Sequence, residues 1–462
     1  MRERTLMRSA TVHRTSALVA GLAAALALAC TTLIDFPDLP DFHEGGVADT
    51  GVTPRHDGGR PDATTMVGRD AATEAAFDVG SGSASSSASS SSSGSGSESG
   101  SGSGSGSESG SSAASSSSSA NVVPPPSCAV ADAGTSSCGA TSESCCATAP
   151  VASGTFDRVY TRGDAGVAEA GAPAAISSFH LDKYAVTVGR FRQYVNYVSG
   201  MQGNPPIDGM GKHVHLNGGQ GLVNDAPGVP DAGVVHESGW DSLDWGKYIV
   251  TGPSPSVRST WNSNLECTPP EGTWTATPGA NENRPINCVN WYESYAFCIW
   301  DGGFLPTEAE WEYAAAGGSE QRKYPWGTTY PGTGTQFAIY NCNYPSSSML
   351  CPLDGGNLAP VGLAAMGVGK WGQFDLVGDV YEWTLDWYAP FGASPVVNDP
   401  AYLTPYTTMT DGGPAFASRI RRGATFNDNG TSLHPWVRTT QINPTGPTAR
   451  SVTLGVRCAR GF

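Results

Sequence analysis

Apolar positions recur with a helical period in three stretches of this chain, and with no sustained period over much of the rest. In TVGRFRQYVNYV, Val188, Phe191, Val195 and Val198 lie at i, i+3, i+7 and i+10, on one helical face, and Thr187 stands where an N-cap belongs. In NWYESYAFCIWDGG, Trp291, Tyr295 and Cys298 share a face, and Gly302–Gly303 stops the helix. In LPTEAEWEYAAAGG, Pro306 leads into a capping box of Thr307 with Glu310, and Gly317–Gly318 ends the helix. FDRVYT and ISSFHLDKYAV read as short strands. Residues 199–283 are Gly/Pro-rich and aperiodic, which predicts a loop-rich insertion with short strands at most. Beyond Gly318, Trp, Gly, Asn and Pro punctuate short strands and turns, with no helix. Short helices among short strands and long loops argue for an α+β fold.

The first third of the chain follows a different pattern. Arg2, Arg4, Arg8 and Arg14 precede the apolar run Ala17–Ala29, which is short for a membrane span and ends in LALAC at Cys30. This resembles a bacterial lipobox, which implies an acylated Cys30 at the mature terminus of an exported, outer-membrane lipoprotein, periplasmic or cell-surface. Ordinary signal-peptide cleavage nearby is the alternative. Residues 31–126 are acidic, then Ser/Gly-rich. Ser81–Ala120 holds only Ser, Gly, Ala and two Glu, too little apolar surface to offset its ordering entropy. As a flexible tether of roughly 95 residues, the whole of 31–126 spans roughly 50–60 Å. The folded part is expected in residues 151–462, preceded by a small cysteine-rich knob in residues 127–150.

Charge and cysteine content narrow the chemistry. The net charge is −16, from 26 Lys+Arg against 42 Asp+Glu, and no basic stripe is present, which argues against nucleic-acid binding and favours cations. Of 11 cysteines, ten remain beside Cys30, an even number that suits disulfides in an exported chain. Cys128, Cys138, Cys145 and Cys146 lack C-x-x-C spacing and a nearby His, so a zinc site is the lesser reading. Their pairing is open. Cys267 with Cys288, and Cys342 with Cys351, are paired here by nearness. His434 has no G-x-S-x-G partner motif, which argues against a serine hydrolase.

Several blocks, in order, carry a family resemblance. PINCVNWYESYAFCIWDGGFLPTEAEWEYAAAGG, PWG at Pro325–Gly327, FDLVGDVYEWTLDWY, RRGATF and GVRCAR are similar to the formylglycine-generating enzyme (sulfatase-modifying factor) family. The resemblance implies a C-type-lectin-like domain with little regular secondary structure and a bridge between Cys298 and Cys458. It implies two calcium sites. One would use Asn341 and Asp354, the latter one residue out of register. The other would use carbonyls around Val377 and Gly378 with Asp379 and Glu382, an oxygen-rich set that suits a hard cation. Family members oxidise a substrate cysteine with O₂ and a copper ion held by two cysteines. The matching positions here are Asp428 and Leu433, so copper is not expected, although Thr425 keeps a hydroxyl at the family's Ser position.

Three readings of function follow. In the first, the scaffold is a binding module for a peptide, a glycan or an envelope protein, with membrane contact through the lipid anchor only. In the second, His213, His215, Asp428 and His434 rebuild a metal site of non-haem iron type, giving a metal-dependent oxidase. A passive surface protein is a third.

Overall fold

Burial follows the periodic faces. The structure, a computed structural model, describes residues 124–158, 160–163, 166–169, 171–225, 234–345, 351–390, 397–405, 417–438 and 446–462. The leader, Cys30 and the tether through residue 123 lie outside the described residues.

Four helices of two or more turns form among the described residues: α1 (Val188–Val198), α2 (Pro255–Leu265), α3 (Trp291–Trp300) and α4 (Glu308–Ala316). In α1, Thr187 Oγ1 accepts from Arg190 N at 3.1 Å, and all four periodic residues are fully buried. Helix α3 packs against it, with the Phe191 and Phe297 rings stacked 5.3 Å apart. Its start is fixed by a reciprocal box of Asn290 and Glu293. Helix α4 carries the expected box of Thr307 with Glu310 and ends at Gly317 in the left-handed region, φ 69°. Helix α2 corrects the expectation of strands at most in residues 199–283. Ser254 caps it, Pro255 opens it, and Val257, Trp261 and Leu265 are its only buried residues. Three apolar positions among Ser, Asn and Thr give a weak period, and packing of Trp261 against Phe191 and Tyr194 supplies what propensity does not.

Among the described residues the strands are short and form four small sheets. The first orders β1 (Thr148–Val151), β6 (Phe179–Asp182) and β11 (Ala459–Arg460), all antiparallel. The second orders β10 (Leu454–Gly455), β7 (Tyr381–Trp387) and β9 (Arg419–Arg422). The third orders β2 (Gly154–Asp157), β5 (Pro173–Ile176) and β8 (Val397–Asn398), while β3 (Thr161–Gly163) pairs with β4 (Gly166–Glu169). The predicted strand ISSFHLDKYAV is thus broken into β5 and β6. The break is chemical: Ser177 turns its N–H and hydroxyl to the Asp399 carboxylate, at 2.6 and 2.8 Å.

Five disulfides tie these small pieces together. Cys298 pairs with Cys458 across 160 residues, and Cys267–Cys288 and Cys342–Cys351 staple loops. Closing a loop of that first length stabilises by up to ~5 kcal/mol in the chain-entropy view. The remaining four cysteines form the nested pairs Cys128–Cys146 and Cys138–Cys145.

The segment 127–150 is not a separate knob, and the boundary at Val151 falls inside β1. Arg190, fully buried in α1, donates to Ser127 Oγ at 3.0 Å and Cys145 O at 3.2 Å. It also donates to the carboxylates of Asp182 and Asp301 at 2.8 and 2.6 Å. Ser127 N–H reaches the same Asp301 at 2.9 Å. Gly189 permits this contact, because a Cβ there would lie 2.2 Å from Ala133 O.

The insertion is clasped to α4 by one imidazole. His213, fully buried, lies 3.1 Å from Glu237 Oε2 and 3.2 Å from Glu310 Oε2. Burial alone would lower its pKa, but Glu237 and Glu310 outweigh this and hold it up at about 10. The ring is therefore an imidazolium bridging two carboxylates. Replacing it with Leu leaves both carboxylates buried without their cation and should cost about 3–5 kcal/mol at neutral pH. The raised pKa makes this contribution complete below the unfolded value of 6.5 and lost as pH rises toward about 10. Glu237 is held below its usual value, because His213 outweighs the effect of burial, so its share disappears in strong acid. Urea denaturation of wild type and His213→Leu across pH should show the difference largest from mildly acidic pH up to about 6.5 and shrinking as pH rises toward about 10. A pH-independent difference would refute the clasp.

Candidate functional site

The loop that follows β9 is built from both its ends. Arg422, fully buried, pairs with Glu308 at 3.1 Å and with Glu312 of α4, and donates to Val437 O at 3.1 Å. One side chain thereby holds the loop's start and finish against the same helix. Between them, Asp428 Oδ2 accepts from Tyr381 Oη at 2.6 Å and from Thr425 N–H at 2.9 Å. The Thr425 hydroxyl bonds the Asn427 side-chain carbonyl. Arg421 lies over the Tyr381 ring, 4.4 Å from its centroid. Asn341 N–H donates to Asp428 O at 2.8 Å, so the neighbouring loop is stitched on as well.

The two positions matched to copper-holding cysteines differ in setting. Asp428 is half-buried and spoken for by two donors on one oxygen. Leu433 is fully buried in the core formed with Trp311, Tyr324 and Tyr340. Beside it, His434 Nδ1–H donates to Lys323 O at 2.9 Å, since a carbonyl can only accept. Its ring stacks on Trp436 at 4.3 Å and Tyr324 at 5.0 Å, and Tyr324 stacks on Trp326. Burial lowers its pKa, with the Lys323 charge in the same direction, so the ring is neutral at pH 7.

The proposed iron set is not brought together. His213 is spent on Glu237 and Glu310, and His215 stacks on Phe304 at 5.6 Å with neither ring nitrogen bonded. Asp428 and His434 belong to the Arg421–Trp436 loop and have their own partners. Spacing along an aperiodic insertion gave no register by which the two groups could be related.

The calcium candidates fall at two places. Asp354 Oδ1 caps a single 3₁₀ turn by accepting from Gly356 N–H at 2.8 Å, and among the described residues no hydrogen bond joins it to the exposed Asn341. At the second place, Glu382 is wholly buried. Its carboxylate takes Trp311 Nε1–H at 2.7 Å and the Arg457 guanidinium at 2.8 Å. Asp379 is buried, accepts from Ala359 N–H at 3.0 Å, and is pushed well above the usual carboxylate range by burial and by Asp375. Asp375, which the sequence reading passed over, is pushed up to about 6 by burial. Its place four residues before Asp379 in FDLVGD was the available signal. Gly378, φ 94°, shapes the turn between them, since a Cβ there would lie 2.7 Å from Ile339 O. Among the described residues no group of three or more His, Cys, Asp or Glu side chains is arranged to hold a metal ion. A cation at this loop would draw on carbonyls of the Val377–Gly378 turn beside Asp375 and Asp379. Two buried carboxylates with too little nearby positive charge fit a hard cation; Glu382, already paired with Arg457, has the lesser claim.

Residues 134–462 match the family described as the Sulfatase-modifying factor enzyme 1-like domain. The chain is 27% identical to the formylglycine-generating enzyme of Streptomyces coelicolor, over 61% of this chain and 77% of that one. It is 32% identical to the inactive C-alpha-formylglycine-generating enzyme 2 of Mus musculus, over 41% of this chain and 55% of the relative. It is 31% identical to the hercynine oxygenase of Mycolicibacterium smegmatis, over 50% of this chain and 49% of the relative. Among solved structures it is similar to PvdO from Pseudomonas aeruginosa, at 16% identity and a TM-score of 0.36, covering 68% of this chain and 94% of that one. The matched span covers more than half of the chain, which belongs to the sulfatase-modifying factor enzyme 1-like domain family.

Proposed function

We propose that this chain uses the family scaffold as a binding module in the cell envelope and does not run copper–cysteine oxidase chemistry. The observation that carries this reading is the state of its sulfur. Every cysteine among the described residues is in a disulfide, and the two positions that would hold Cu(I) are Asp428 and the core residue Leu433. Cu(I) needs soft thiolates, and a carboxylate beside a buried isobutyl group supplies none. The similarity to a relative named as inactive supports the same conclusion.

What remains in the loop is a recognition surface. Asp428 keeps one oxygen beyond its bonds to Tyr381 and Thr425, and Asn341, Asn427 and Asn429 are exposed beside it. Acceptors on a rigid, aromatic-backed loop suit an extended peptide, whose N–H groups need acceptors at fixed spacing. Peptide is therefore the leading partner class, ahead of a glycan or a folded envelope protein. Five disulfides support an oxidising compartment, and the Arg2–Cys30 leader supports attachment there through a lipid.

Calcium belongs to this reading at the Asp375–Asp379 loop, where it would offset two buried carboxylates and stiffen the turn whose Asp379 O accepts from Phe426 N–H at 3.0 Å.

Two outcomes are expected. Incubated with Cu(I), O₂ and a cysteine-containing sulfatase-type peptide, the purified chain should consume no oxygen above buffer and leave the thiol intact by mass spectrometry. It should still retain such peptides in fluorescence anisotropy, with weaker retention after Asp428→Ala. Conversion of the cysteine to formylglycine would sink the proposal. Calcium at about 100 times its Kd should raise unfolding free energy by about 2.7 kcal/mol, and the Asp375→Asn, Asp379→Asn double variant should lose that gain. An unchanged denaturation midpoint with calcium would remove the cation from the account.

A further inference from the structure

A cleft of about 510 Å³ opens between the end of α2 and the loop after Cys351, and none of its lining residues belongs to the Arg421–Trp436 loop. Its size lies within the range of small-molecule sites, roughly 300–1,000 Å³. Its walls approach closely through glycine: a Cβ on Gly355 would lie 2.7 Å from Gly272 O.

Three charged side chains line this cleft, Arg284, Glu266 and Asp354. Arg190, Arg192, Arg422, Arg450, Arg457 and Arg460 each pair with a carboxylate. Arg284 does not. Its Nη1 donates to Gly355 O at 2.6 Å, which pins the guanidinium to the wall, and among the described residues no ion pair uses the rest of its fork. Glu266 lines the same cleft, and its side chain makes no hydrogen bond or ion pair among the described residues. It is also the C-cap of α2. A carboxylate there adds to the negative end of the helix, a placement that costs stability unless a cation is drawn to it. One cation and two carboxylates thus line one cleft: Asp354 Oδ1 is taken by Gly356 N–H, and Arg284 and Glu266 do not close on each other. Pro269 and Pro270, both exposed, offer an apolar rim.

We propose that this cleft binds a small zwitterion, an α-amino acid or a short peptide. Its carboxylate would sit on the Arg284 fork, its ammonium on Glu266 at the end of α2, and its side chain against Pro269 and Pro270. Guanidinium–carboxylate pairing suits the first contact, because the planar fork presents parallel donors. This site is independent of the loop reading above and survives or fails separately.

The test is isothermal titration calorimetry on the full chain, first in EDTA and then with calcium. The probes are free amino acids and di- and tripeptides, each beside its N-acetylated and its C-amidated counterpart. Binding of free forms is expected, with a loss of roughly tenfold or more on blocking either end. Glu266→Gln, which breaks no bond seen in the structure, should abolish discrimination against N-acetylation while sparing that against amidation. Arg284→Gln should do the reverse. Preference for single amino acids or for peptides identifies which source of the zwitterion the cleft takes. No binding at millimolar ligand by a chain with native circular dichroism overturns the proposal, as does equal binding of free and blocked forms.

Discussion

One buried arginine, one half-buried arginine and two buried aspartates hold this fold together. Arg190 from α1 and Arg460 from β11 both reach Asp182 of β6 and Asp301, the residue that ends α3. Each of these ions is costly to remove from water alone, and as a neutral quartet each has its counter-ions within bonding distance. The quartet explains why such short strands persist. Sheets of two or three strands carry little stability by themselves, and here the first sheet is bolted to a helix, a helix terminus and the N-terminal cysteine segment by the same four side chains. The Cys298–Cys458 bridge leads from α3 to the residue just before β11 and so reinforces the same junction covalently.

Much of this was legible in the chain. The three periodic helices, the caps of α1 and α4 and the glycine stops of α3 and α4 were readable because each signal is local. Thr187, Thr307 and Gly317 act within one helical turn of themselves. Helix α2 was not readable, because its three apolar residues acquire meaning only when Trp261 meets Phe191. The strand break at Ser177 was not readable either, since Asp399, which causes it, lies far along the chain. The inclusion of residues 127–150 in the main domain had the same long-range origin, in the contacts of Arg190.

The site divides in the same way. Family motifs located the loop and the absence of its thiols from sequence alone. They could not say that Leu433 turns into the core, nor that Asp428 is held by Tyr381, because both depend on how β7 and β9 register. Residue types alone, two imidazoles and a carboxylate, raised the reading that two histidine-bearing segments converge, and the fold spends His213 on the insertion's clasp. Charge balance, which a sequence gives only as a total, proves informative one cluster at a time. Most buried cations are matched, Asp375 and Asp379 are under-matched, and Arg284 and Glu266 face each other's cleft unpaired.

The nested bridges near the start of the described chain have a mechanical consequence. Any pull arriving through the segment before Cys128 passes through sulfur to Cys146, two residues short of β1, and so to the β1–β6 ladder. The 18 residues of separation between the two cysteines are bypassed and cannot be drawn out, which locks away roughly 60 Å of contour. Under tension the domain would yield first in its sheet, and its covalent loops would keep the broken pieces close enough to re-form.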